Sequence, residues 1–117
     1  MITLYGIANC DTCRKAKTWF EKNNIPYNFI DFRKSGLSRS IIKSWVNALG
    51  TNLLVNRRGT TWRNLPEDRR LLVDGSDSVD VLMDAPTLMK RPIIDLDGRL
   101  LVGFDSSNIT EIQSFTS

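Results

Sequence analysis

Histidine is absent from these 117 residues, and cysteine occurs only twice, at Cys10 and Cys13. The missing histidine removes the commonest general base and metal ligand. A cysteine nucleophile here cannot be activated by imidazole, so activation must come from backbone N–H groups, arginine or lysine. Two thiols also fall short of the four ligands of a structural zinc site, so no metal is expected. Nor do two cysteines make a disulfide framework; they point instead to catalysis or redox sensing. No apolar run approaches the roughly 20 residues that cross a bilayer. The N-terminus shows neither a basic n-region nor a long apolar segment, so the expected compartment is the cytoplasm. The net charge is only +3. That mildly favours anionic small molecules or acidic protein surfaces and is too small to argue for nucleic acid. Apolar residues at 41% and charged residues at 25% fit a single domain over residues 1–117, long enough for one core without staples.

What is present is concentrated near the start. The two cysteines stand as Cys10-Asp11-Thr12-Cys13, followed by Arg14-Lys15. Residues 2–6 alternate like a short strand. Asn9 to Asp11 supply cap-type residues for a helix with Cys13, Ala16, Trp19 and Phe20 on one side, ended by Asn23-Asn24 and Pro26. Residues 27–32 read as a second strand. Strand, helix and strand in about 30 residues make a βαβ unit with parallel strands. Ser35-Gly36 is a turn, and Ser38 caps a helix running to Leu49, closed by Gly50. Residues 56–65 read as a loop or short turn. Pro66 opens a helix carrying Leu71, Leu72 and Val73, and Ser78 begins another with Val79, Leu82 and Met83. Asp97-Gly98 between the apolar runs 93–96 and 99–102 marks a hairpin, because a type I′ turn needs positive φ twice. A closing helix fits Ser106 to Phe115. The order β-α-β, then helices over about 38–90, then β-β-α, predicts an α/β thioredoxin-like fold. Its four-stranded mixed sheet carries a helical insertion between the halves.

Cys-x-x-Cys at the first strand-to-helix turn is where that topology keeps reactive thiols. Residues i and i+3 share a helix face, which suits disulfide geometry. Cys10 at the helix start meets free N–H groups and the positive end of the helix dipole, with Arg14 and Lys15 adding charge. A thiol of pKa about 8.5 is roughly 3% thiolate at pH 7, whereas one lowered to about 6 is roughly 90%. Cys10 is the expected nucleophile and Cys13 the resolving thiol. Arg91-Pro92 precedes the third strand, where this topology places a cis-proline facing the thiols. Arg91 would then offer its fork of donors to an oxyanion or carboxylate. Arg57, Arg58 and Arg63 surround Gly59-Thr60-Thr61-Trp62, a composition suited to an anionic or peptide-like ligand, or simply to a solvated loop. Trp62 is either a platform there or a core residue.

Three separated stretches carry a resemblance: residues 2–12, the run Asn56 to Arg63, and Lys90-Arg91-Pro92-Ile93-Ile94 through Val102-Gly103-Phe104. They resemble the arsenate-reductase-like (ArsC/Spx) thioredoxin-fold family of small cytoplasmic bacterial proteins, and its YffB branch in particular. The resemblance implies a reductase with Cys10, Cys13 and Arg91 at the catalytic centre. It implies glutathione as co-substrate, with glutaredoxin as a further partner, and Asn9, Arg14, Arg57, Arg58, Arg91 and Pro92 around the ligand. No bound cofactor is implied. The family's arsenate reductases use three arginines. Arg91 matches one and Arg57 or Arg58 stands near a second, but Leu101-Val102-Gly103-Phe104 replaces the third, which favours a thiol substrate over arsenate. Spx-type members share Cys10-x-x-Cys13-Arg14-Lys15-Ala16. They imply an alternative, a redox switch that binds the RNA polymerase α subunit.

Overall fold

The computed structural model describes residues 1–117. In chain order the first elements are β1 (Ile2–Gly6), α1 (Asp11–Lys22), β2 (Tyr27–Asp31) and the short α2 (Phe32–Ser35). The helices α3 (Arg39–Leu49), α4 (Thr51–Leu54), α5 (Thr60–Asn64), α6 (Glu67–Leu72) and α7 (Ser78–Asp84) follow. A 3-10 turn at Pro86–Leu88 leads to β3 (Ile93–Leu96), β4 (Arg99–Val102) and α8 (Ser106–Thr116). The chain falls into two compact units: Met1–Ser35 with Arg91–Ser117, and Gly36–Lys90.

The first unit holds the sheet, in the order β2-β1-β3-β4. β1 and β2 are parallel, with Ile2 opposite Tyr27 and Gly6 opposite Asp31, so α1 is the crossover of a βαβ unit. β3 runs antiparallel to β1 and pairs with β4 through the expected hairpin. Asp97 and Gly98 have φ of 55° and 112°, the two positive values such a turn requires. β1 is central and alternates, so Ile2 and Leu4 point into the core. There they meet Ala16 and Phe20 of α1, Ile94, Leu96 and Leu101 of the hairpin, and Ile112 of α8. α8 starts where the Asp105 carboxylate accepts the Asn108 N–H at 2.8 Å. This is the thioredoxin-like mixed sheet that the order of elements predicts.

The second unit is helical. Ser38 caps α3 by accepting the Ile41 N–H at 3.1 Å, and Ile42 and Trp45 are its buried residues. α3 packs on α7, where Val81 and Leu82 are buried. An isolated bridge joins Val55 to Met89.

Several local readings are corrected. Part of the supposed loop 56–65 is the helix α5, closed by Arg63 N–H on the Gly59 carbonyl and by a Thr61–Thr87 hydroxyl pair at 2.9 Å. Phe32 leaves the strand for α2, because the Asp31 carboxylate captures the N–H groups of Arg33 and Lys34. Pro66 is the cap of α6 rather than its first residue. Leu71 and Met83 face solvent while Val81 is buried, so helices this short follow their neighbours more than their own periodicity.

Candidate functional site

The site is built where β1 ends and α1 begins. Cys10 is the cap residue of α1, with extended backbone at φ −148° and ψ 120°. Asn9 is exposed and Asp11 is already helical, so neither caps α1. Cys10 therefore stands before the first turn, among N–H groups that have no partner inside the helix. Burial disfavours its anion, but the Cys13 amide N–H, the Cys13 thiol and the Arg91 side chain all bond to the sulfur. The net result holds Cys10 below the ordinary thiol value. Donors aimed at the anion outweigh partial desolvation.

Cys13 lies one turn inside and is fully buried. Burial pushes its thiol up to about 12, against the Ile7 amide N–H that favours the anion, and the neighbouring Cys10 adds to the rise. The two sulfurs are free thiols. The pair is therefore divided: Cys10 carries the charge and Cys13 keeps the proton that it donates to Cys10. Gly6 makes room for this arrangement. A Cβ at Gly6 would lie 2.5 Å from the Cys13 sulfur, closer than any real contact.

Two further features flank the thiol loop along the chain. The Arg91–Pro92 peptide is cis, as the sequence reading expects, and Pro92 is buried at the start of β3. The Pro92 carbonyl accepts the Gly103 N–H at 2.8 Å, tying the cis-proline to the end of β4. On the other side, Asp31 at the end of β2 accepts the Ala8 N–H at 3.0 Å with one oxygen. Its other oxygen accepts Arg33 N–H at 2.8 Å and Lys34 N–H at 3.3 Å. One carboxylate thus anchors the loop that presents Cys10. Gly6 and Asp31 are the site residues that sequence reasoning missed. A glycine ending an apolar strand just before Cys-x-x-Cys was a signal of close approach. Asp31 closing the apolar run Tyr27 to Ile30 was a weaker one.

The other expected ligand-binding residues are placed as follows. Arg14 pairs with Asp11 on the outer face of α1 instead of turning to the sulfur. Arg57 and Arg58 belong to the helical unit. Arg57 pairs there with Asp74 at 2.6 Å and stands over the Trp62 ring at 5.0 Å. Arg58 is exposed, and its N–H bonds the Asn56 side chain at 3.1 Å. A cavity of about 700 Å³ bounded by Met1, Ile2, Ile25 and Phe115 lies at the far end of β1 from the thiols. A groove of about 520 Å³ begins at Asp11, beside Cys10, and runs along α1.

A family model described as the ArsC family matches residues 5–112. A Haemophilus influenzae protein named only as uncharacterized is 45% identical over 105 residues, spanning 90% of this chain and 92% of its own. The global transcriptional regulator Spx of Staphylococcus epidermidis is 32% identical over 114 residues, spanning 93% of this chain and 84% of its own. Among solved structures, a YFFB protein superposes with a TM-score of 0.88 at 34% identity, covering 95% of this chain and 97% of its own. An arsenate reductase (ArsC) related protein from Brucella melitensis superposes with a TM-score of 0.76 at 39% identity, covering 94% and 92%. No helix is long and apolar enough to cross a membrane.

Proposed function

The chain belongs to the ArsC family, and on that premise we propose that it is a thiol–disulfide oxidoreductase with Cys10 as nucleophile and glutathione as co-substrate. The observation that carries this reading is the divided thiol pair. Cys10 is favoured as an anion by Cys13 and Arg91, while Cys13 stays protonated. The Cys10 thiolate attacks one sulfur of a disulfide. A Cys10–substrate S–S bond forms, the original S–S bond breaks, and the displaced sulfur leaves as a thiolate. A glutathione thiolate then attacks the mixed disulfide and releases Cys10. Cys13 offers a second route, since its attack on Cys10 closes the Cys10–Cys13 disulfide and its proton passes to the leaving thiolate. Arg91, beside the sulfur, is the natural partner for a carboxylate of the bound thiol. This chemistry suits a reducing compartment such as the cytoplasm.

The test is adduct mapping by mass spectrometry after exposure to glutathione disulfide. Cys13→Ser carries one glutathione on Cys10, wild type carries it there or has gone on to the Cys10–Cys13 disulfide, and Cys10→Ser carries none. Absence of the adduct, together with an alkylation midpoint at the ordinary thiol value, contradicts the proposal.

A second reading has its own support. The Spx relative and the Cys10–Cys13 pair fit a redox switch acting on the RNA polymerase α subunit. It predicts retention of that subunit by one redox form of the immobilised protein. If neither the oxidised nor the reduced form retains it, the switch reading is lost.

A further inference from the structure

Lys15, expected from the sequence to add charge at Cys10, is not among the groups that act on its sulfur, nor is Lys22, and no ion pair engages either of them. They stand seven residues apart on α1, two turns along the same face. Both are exposed. Between them lies Trp19, half-buried, whose ring meets Phe104 edge-on with centroids 5.8 Å apart. These aromatics floor the groove of about 520 Å³ that begins beside Cys10. At its near end Asp11 and Arg14 neutralise each other, so the uncompensated charge on the wall is that of the two lysines. Asp105, next to Phe104, caps α8 and does not line the groove. Phe104 follows Gly103, which is bonded to Pro92, so the floor is continuous with the strand ends that flank the thiols.

An apolar floor with an unpaired cationic wall complements an acidic segment that also carries an apolar side chain. Its length decides what kind of molecule can use it. Twelve residues of helix separate Cys10 from Lys22, about 18 Å. The three residues of glutathione extend to only about 10 Å, so glutathione joined to Cys10 stops well short of Lys22. An extended peptide bound through its own cysteine needs about six residues to cover that distance.

We propose that this groove seats an acidic segment of a protein substrate, spanning about two to six residues from the cysteine that exchanges with Cys10. The inference rests on the thiol-exchange reading and names its substrate class: protein disulfides and mixed disulfides rather than small ones. The step itself is unchanged. Cys10 thiolate attacks the substrate sulfur, one S–S bond forms as another breaks, and the displaced group leaves with the electron pair.

The test uses the full chain in single turnover. Peptides carry one cysteine as a mixed disulfide with thionitrobenzoate, whose release is coloured. Acidic peptides bear Asp and Glu two to six positions from the cysteine, on either side; neutral ones bear Asn and Gln. The better acidic peptide reacts roughly three- to tenfold faster than its neutral counterpart at low salt, consistent with two exposed charge contacts. That advantage disappears near about 0.5 M salt, and it is lost or reversed in the Lys15→Glu/Lys22→Glu variant. Equal rates for both peptides in wild type overturn the groove while leaving thiol exchange standing. Persistence of the preference in the double variant overturns it as well. A second arm uses Cys10→Ser with fluorescein-labelled peptides lacking cysteine, read by anisotropy. If Cys10 reacts with no disulfide at all, the thiol reading fails, and anisotropy still decides for or against the groove.

Discussion

At the scale of single residues, two chemically identical side chains are driven in opposite directions by where they stand. Cys10 has three donors on its sulfur and remains partly open, while Cys13 is enclosed, keeps its proton and donates a hydrogen bond to Cys10. Each hydrogen bond to the thiolate favours the anion, so losing one raises the pKa. The pH dependence of iodoacetamide alkylation therefore shifts upward in both Cys13→Ala and Arg91→Ala. Midpoints unmoved in both variants contradict the assignment. In the folded wild type Cys13 stays unmodified under conditions that alkylate Cys10. Which cysteine is favoured as an anion was legible from its place at the helix start. The identity of its partners was not fully so. Arg14, adjacent in sequence, pairs with Asp11, while Arg91, some eighty residues away, reaches the sulfur. A side chain's choice of partner depends on the direction of its Cα–Cβ bond, and that follows the path of the backbone.

At the scale of elements, β1 and α1 are joined by a contact that tolerates no extra atom. Gly6 ends β1, and a Cβ there would meet the Cys13 sulfur at 2.5 Å but the Cys13 Cβ only at 3.5 Å. Gly6→Ala alone therefore forces a shift, costing about 1–3 kcal/mol as overpacking does. In the Cys13→Ala background the same change meets only ordinary contact. Urea unfolding of the four proteins in this cycle gives a coupling of the order of 1 kcal/mol or more. A coupling near zero means that the sulfur does not require the glycine. The strands, the crossover helix and the hairpin were all readable, because each has its own period, cap or turn residues. The short helices α2, α4 and α5 were not. With only four or five residues each, they carry no usable periodicity and form where neighbours such as Asp31 and Thr87 hold them.

At the scale of the whole molecule, stability depends on pH through groups in both units. Asp31 in the sheet unit and Asp74 in the helical unit both lie below the usual carboxylate range. Burial opposes the Asp31 anion, but the N–H groups of Arg33, Ala8 and Lys34 outweigh it, whereas Thr51 and Arg57 hold Asp74 down. Their contribution is complete above the unfolded value of about 3.9 and is lost as pH falls through the folded values. Cys13 acts at the other end. The folded chain keeps a proton that the unfolded chain releases above about 8.5, so stability falls from there up to the folded value of about 12. Unfolding free energies measured across pH are expected to flatten on the acid side in Asp31→Asn and in Asp74→Asn, and on the alkaline side in Cys13→Ala. An unchanged acid slope in both Asp variants contradicts the assignment. The sequence by itself determined the order of elements, the mixed sheet, the thiol pair at a helix start and the exclusion of histidine chemistry, because these rest on local pattern and composition. Only the tertiary structure decided that Arg14 pairs with Asp11 and leaves the thiolate to Arg91, that Asp31 anchors the Cys10 loop and that Gly6 is the seat of Cys13. The first two join residues distant along the chain, and their geometry exists only once the strands have paired, whereas Gly6 and Cys13 are seven residues apart and meet through the way β1 turns into α1.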